Sequence, residues 1–522
     1  MNSFVQKHRA DVIGILSGFD RLVFRGSVRP IAYSEGMQRF LSAKGVLLKD
    51  FGAFAEATSS RVKQASVGAA ERAGRPVQYL PSAGGRKDEL ARAIAERDGI
   101  NEGLVCVFKT VEPLLGFDIY RNRDKKKLEL VMRRRKCLYL YHYYRHPVFG
   151  FMHIRLQTWL PFQVQVWING REWLARTLDR KGIGYERRDN CLPWIENVER
   201  AQRLMDEQLR LHWPIALDLL RLRAHPAHEE IVAPWNLEYY WSVYQSEWAT
   251  DVMFRSQQAL APLYQRLVHQ GITRFGCTDV LRFLGKRLPA HGGLHRSFAG
   301  EASSDLKERP EGIRLKHRAD GNSVKLYDKQ GSVLRAETTI NEPDRFKVYR
   351  TAEGDQRGRP AWRPMRKGVA DLTRRTEISQ KTNDRYLDAL ASLEDTTPLG
   401  ELTADLCRPA RWKGRRSRAL QPWSPDDLEL LRTVARGDFL QNGLRNADLR
   451  AALYGTDPTS AAERRRRSAA VTRKIRLLRA HGLLAKRPRS HRYMLTEKGQ
   501  RATSALLAAY HANADSLSKL AA

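Results

Sequence analysis

The residues able to do chemistry form a basic set near the carboxy terminus and a sparser acidic and aromatic set in the front half. "RKIRLLRAHGLLAKRPRSHRYMLTEKG", residues 473 to 499, puts Arg473, Lys474, Arg476 and Arg479 on one helical stretch. Lys486, Arg487, Arg489 and Arg492 follow around a tip, and Arg464, Arg465, Arg466 and Arg467 stand just before. Cations at this density meet phosphates, and arginine also reads base edges, so the chemistry is polyanion recognition. Further forward, Asp20 follows the apolar "VIGIL", Glu112 lies beyond the strand-like "LVCVF", and Asp189 sits in "GYERRDNC". Carboxylates at strand ends can hold Mg²⁺ or Mn²⁺, and such ions stabilise the attacking and leaving oxygens of a phosphodiester. Ordinary caps and salt bridges are the competing explanation for the same three residues.

A second constellation is aromatic. In "YLYHYYRHPVFGFMHIRLQTW", His153, Arg155 and Gln157 share one face of a strand. In "LEYYWSVYQSEWATD", Tyr240 and Tyr244 are four apart, on one face if the stretch is helical. A tyrosine can attack a phosphate that a metal at His153 and Gln157 polarises, while buried or stacking tyrosines explain the same pattern without chemistry. Cys137, His142, His146 and His153 lack the spacing of a zinc site. The segment also suits a nucleic-acid surface, with rings stacking on bases and Arg145 and Arg155 on phosphates, or simply a sheet core. No P-loop, G-x-S-x-G elbow or H-E-x-x-H is present, so no nucleotide cofactor is expected.

Positioning these groups requires several domains, for which 522 residues suffice. The pattern predicts an α+β chain: an N-terminal α/β part, a central antiparallel sheet with helices, and a C-terminal winged helix-turn-helix. The expected boundaries are 1–115 for the α/β domain, 116–350 for the antiparallel sheet plus helices, 351–423 for a basic linker with a helical segment, and 424–510 for the winged helix. Helices are expected to dominate from Ile195 to Leu284, and "INGREWLARTL" to start one after an Asn169-Gly170 turn. No internal repeat stands out.

A net charge of +33 makes nucleic acid the first expected partner. The five cysteines are scattered without a C-x-x-C pair, as in a reduced compartment. No apolar run reaches the roughly 20 residues of a membrane span, so the expected location is the cytoplasm.

"LLRAHGLLAKRPRSHRYMLTEKGQ" resembles the recognition helix and wing of MarR-like winged-helix regulators. The centre, including "NSVKLYDKQGSVLRAETTI", is similar to rolling-circle replication initiators but lacks their paired histidines. Together with "GFDRLVFRGSVRP", "NGREWLAR" and "QSEWATDVMF", these stretches resemble a family of bacterial hypothetical proteins with several copies per genome. Such copy number implies a mobile element and transfers no catalytic residue. The expected function is DNA binding with metal-dependent strand cutting or joining, as in a transposase or replication initiator. The rivals are a non-enzymatic regulator whose front half dimerises or senses a ligand, and an RNA-binding factor.

Overall fold

Alternation in "VLRAETTI" sends Leu334, Ala336 and Thr338 to one side of a strand and Arg335, Glu337 and Thr339 to the other. The same two-sidedness in neighbouring strands builds one sheet of eleven. The computed structural model describes residues 3–81, 86–286, 300–309, 312–352, 358–392, 398–436, 439, 443–455, 458–487 and 490–512, and is α+β.

Two arms make the sheet. α1 (Ser3–Lys7) precedes β1 (Val12–Ser27), after which the chain passes through α2 (Ser34–Ala43), α3 (Phe51–Arg72), the edge strand β2 (Val77–Tyr79) and α4 (Lys87–Arg97). It returns as a meander of β3 (Gly103–Asn122), β4 (Lys127–His146), β5 (Gly150–Gln157) and β6 (Val164–Asn169), and β6 closes on β1. α5 (Gly170–Lys181), the hairpin β7 (Tyr185–Arg188) and β8 (Cys191–Ile195), α6 (Val198–Asp206), α7 (Trp213–Ala224) and α8 (His228–Val232) lead to the second arm. There β9 (Tyr240–Phe254), α9 (Gln257–Arg274) and α10 (Cys277–Phe283) precede a second meander: β10 (Ala302–Arg309), β11 (Gly312–Ala319), β12 (Asn322–Lys329) and β13 (Val333–Ile340). β13 closes on β9, and β9 pairs antiparallel with β1 at the centre.

Both arms thus follow one route: a long strand, helices, a four-stranded meander, and closure of the last strand on the first. The likeness lies in the route and not in residue identities, so no repeat is visible in the sequence. Among the described strands only β2 and β3 pair in parallel. The expected boundary at 115 falls inside β3, and β1 sits at the centre of the sheet, so the first 115 residues do not form a separate sheet.

One face of the second arm buries Val252, Val324, Leu326, Leu334 and Ala336 against α9 and a later helix, α11 (Leu372–Ser392). The fully buried valines and leucines among them each contribute roughly 1.5–3 kcal/mol relative to exposure. α11 lies within the expected linker, yet Tyr386, Leu387 and Leu390 on it are fully buried. It is therefore part of the sheet's core. β14 (Lys347–Arg350) and β15 (Ala361–Pro364) form a hairpin just before it. The stretch 408–423 is also structured, through the hairpin β16 (Ala410–Trp412) and β17 (Arg415–Ser417).

Beyond these, helices Pro425–Val434, Asn446–Tyr454 and Ala461–Ala480 precede the hairpin β18 (Leu484–Lys486) and β19 (Tyr493–Leu495) and a closing helix Glu497–His511. Leu444 bridges to Tyr493, adding a third short strand position beside the hairpin. Leu431, Leu449, Val471, Ile475, Leu478 and Leu495 share a core separate from the sheet. Among the described residues no helix is long and apolar enough to cross a membrane.

Candidate functional site

The face of the sheet opposite α9 and α11 carries charge where a core would carry hydrocarbon. Lys325 on β12 stands directly across from Glu337 on β13, and Arg335 across from Asp251 on β9. Arg21 on β1 faces Glu247 on β9. Between the pairs Phe19–Trp248 and Arg21–Glu247, β1 has one residue too many, Asp20, which occupies a bulge. A bulge re-aims a side chain, and here ligand oxygens of Asp20, Glu247 and Glu337 all lie within 4.8 Å of one another.

All three carboxylates are buried, so each needs compensation. Lys325 Nζ donates to Glu247 at 3.0 Å and to Glu337 at 2.5 Å. The Arg335 guanidinium grips Asp251 through Nε at 2.6 Å and Nη2 at 3.0 Å, and reaches Asp20 through Nη1 at 2.8 Å. Arg171, at the start of α5, adds a contact to Asp251 at 2.9 Å. Asn190, in the β7–β8 turn, donates to Asp20 at 2.5 Å, while its carbonyl accepts from Arg335 at 2.8 Å. Four buried carboxylates therefore meet three buried cations, with half-exposed Arg21 at the rim, 3.7 Å from Glu247.

The members of the cluster differ in proton affinity. Burial pushes the Glu337 carboxyl above its ordinary range and Glu247 adds to this, while Lys325 opposes. Burial also acts on Asp20, but Arg335 and then Arg171 outweigh it and hold that group below its ordinary range. Burial disfavours the charged form of Lys325, yet Glu337 and Glu247 raise its pKa, so the ammonium stays protonated.

Of the three acids expected from the sequence, only Asp20 belongs to this cluster. Glu112 lies on β3, four strands from β1, or about 19 Å at the usual strand spacing. Its carboxylate accepts from Tyr141 and Thr110 at 2.8 Å each and pairs with Arg155. Asp189 is exposed at a positive φ of 52° in the β7–β8 turn, and its neighbour Asn190 is the one that reaches inward. Glu247 and Glu337 were legible only as carboxylates on the polar side of alternating strands, which is a weak signal without the register.

Tyr240 and Tyr244 lie on strand β9, where helices were expected. Aromatic and β-branched residues in "YWSVYQSEWATDVMF" explain the strand, since they favour a pleated, half-buried surface. The Tyr240 ring packs beneath Arg29, 3.2 Å from the ring centroid, and Tyr244 is 51% exposed. His153 stacks on Trp167 with centroids 5.2 Å apart, and burial drives its pKa down to about 4. Gln157 donates to the Trp159 carbonyl at 2.9 Å. His142 turns to the other face to meet Ser66 on α3, and His146 accepts from the Val148 amide, so the histidines do not converge with Cys137.

In the carboxy-terminal unit, Ser460 caps the helix Ala461–Ala480 by accepting from Glu463 N. Arg464, Arg465, Arg466, Arg473 and Arg476 on this helix are exposed, as are Lys486 and Arg487 on the hairpin. Lys474 is half-buried. Three of the predicted contacts do structural work instead: Arg467 pairs with Glu463 at 2.5 Å, Arg479 lies 4.4 Å over Trp412, and Arg492 donates to the Gly443 carbonyl at 3.1 Å. Arg489 lies outside the described residues.

Comparison of the chain with protein-family models, with curated proteins and with solved structures finds no match.

Proposed function

We propose that this chain is a DNA-binding protein of a mobile element that grips duplex through its carboxy-terminal unit and cuts or joins a strand at the carboxylate cluster. The observation that carries the reading is the exposed row Arg464, Arg465, Arg466, Arg473 and Arg476, continued by Lys486 and Arg487 on the adjoining hairpin. Helix, helix, basic helix and hairpin, with Leu444 bridged to the hairpin, is the order of a winged helix. In that arrangement the third helix enters the major groove and the hairpin meets phosphates.

Asp20, Glu247 and Glu337 suit a hard cation, because three carboxylates and no soft donor converge there. Mg²⁺ or Mn²⁺ held by them would supply Lewis-acid stabilisation of phosphodiester oxygens. Arg335 holds Asp20 in place, and the Lys325 ammonium bridges Glu247 and Glu337. The near balance of buried charges also favours a second reading, in which the cluster only stabilises the sheet and the protein is a non-enzymatic regulator.

Two measurements test this. Arg473→Ala with Arg476→Ala should weaken duplex binding and reduce the salt slope by about two units, since each lost phosphate contact removes close to one. Unchanged slope would sink the docking assignment. Mn²⁺ binding to the wild type should tighten as pH rises, because the ion competes with the proton that Glu337 holds unusually well, and Glu337→Gln should abolish it along with nicking. DNA that the protein binds but leaves intact with Mn²⁺ present, together with no Mn²⁺ affinity, would leave the regulator.

A further inference from the structure

The hairpin of β14 and β15 displays two large aromatic rings to solvent. Tyr349 and Trp362 face each other across the strands, are 58% and 61% exposed, and have ring centroids 5.8 Å apart. Large exposed apolar groups side by side call for an explanation, because burial would stabilise the fold. The hairpin is not loosely attached. Its inner face buries Val348, which packs with Phe346, Met365 and Ile340. Arg350 braces it by donating to the Pro364 carbonyl at 2.9 Å and the Thr351 carbonyl at 2.9 Å. Rings carried on an anchored hairpin present a fixed surface, and fixed surfaces stack with little loss of conformational freedom.

The charge around the rings is positive. Arg345, Lys347 and Arg359 are exposed, while Arg350 and Arg366 pair with Asp371 and Lys367 pairs with Glu342. Flat rings beside cations match flat bases beside phosphates. Just beyond the hairpin, the Lys367 carbonyl accepts from Val243 N at 2.7 Å, and Gly368 bridges to Ser242, both on β9. Glu247 stands four residues along that strand from Val243, about 13 Å at the usual rise. The hairpin is therefore tied to the strand that carries part of the carboxylate cluster.

We infer that Tyr349 and Trp362 form a stacking platform for unpaired bases of single-stranded DNA, which enters beside the start of β9. The choice of DNA over RNA rests on the strand-processing function proposed above; the platform itself does not. Duplex is excluded as the occupant of the rings, because paired and stacked bases offer no free face to them.

The test uses the full chain and labelled oligothymidylate, oligouridylate and duplex DNA, each followed by anisotropy. Tyr349→Ala with Trp362→Ala should weaken oligothymidylate binding by roughly 10- to 100-fold while leaving duplex affinity and thermal midpoint unchanged. Trp362→Phe, which keeps a ring, should retain most of the binding. Equal oligothymidylate affinity in the double variant and the wild type would overturn the platform, and tighter binding of oligouridylate than oligothymidylate would overturn its assignment to DNA. Loss of wild-type duplex binding would count against the carboxy-terminal docking unit alone, so the two failures are separable.

Discussion

Arg335 shows how much one side chain can organise. Its guanidinium is fully buried and holds two carboxylates from two other strands, Asp20 and Asp251. A planar fork with several donors suits this, whereas lysine offers a single point charge. Arg335→Ala should cost about 3–5 kcal/mol, because it strands two buried acids without their shared partner. Urea unfolding monitored by circular dichroism would measure this, and a loss below 1 kcal/mol would mean that water reaches Asp20 and Asp251. Asp20 was visible in the sequence as an acid after an apolar run, but its partners were not. Glu247 lies 227 positions away and Glu337 a further 90, and only strand pairing brings them into reach.

At the scale of elements, the junction of β6 and α5 depends on two adjacent residues. Asn169 caps α5 by accepting from Arg171 N at 2.8 Å and Glu172 N at 3.2 Å, so it serves as the cap and not as half of a turn. Gly170 lies so close to β1 that a Cβ there would stand 2.1 Å from the Phe19 carbonyl oxygen. Asn169→Ala should cost about 1 kcal/mol, the usual value of a cap. Gly170→Ala should cost more, since backbone has to move and the Asp20 bulge sits next to the clash. Thermal midpoints of the two variants give the order, and a reversed order would show that β1 can shift freely. The cap was legible from the asparagine before a helical pattern; the glycine contact was not, because it joins residues 151 apart in the chain.

For the whole molecule, acid is the expected weakness. His142, His146 and His317 are pushed down to about 4 by burial, and His225 is lowered well below the ordinary value for the same reason, with neither ring nitrogen hydrogen-bonded. A histidine with a depressed folded pKa contributes its full stability above about 6.5 and loses it as pH falls toward its folded value. A fully buried ring such as His142 should by itself withdraw about 2 kcal/mol at pH 5. The urea midpoint should therefore drop steeply between pH 7 and pH 5, and His225→Leu should flatten the drop. An unchanged midpoint would show that these rings are already charged or solvated in the folded state.

Local chemistry was enough for part of this protein. The basic helix and hairpin, the cap before α5 and the alternation of the meanders are set by neighbours in the chain, through helical periodicity, capping and the two-residue repeat of strands. Periodicity also sorts side chains by face, so the polar side of β12 and β13 was determined before any fold. Tertiary structure decided what the local pattern leaves open. β9 is a strand because it has β1 and β13 on either side to satisfy its backbone, and tyrosines four apart suit a helix or a strand equally. α11 belongs to the core and not to a linker because a long-range surface is present to cover its apolar stripe. The carboxylate cluster exists because a one-residue bulge and the register of four strands place Asp20, Glu247 and Glu337 together, and register is a property of pairing, which no single strand contains.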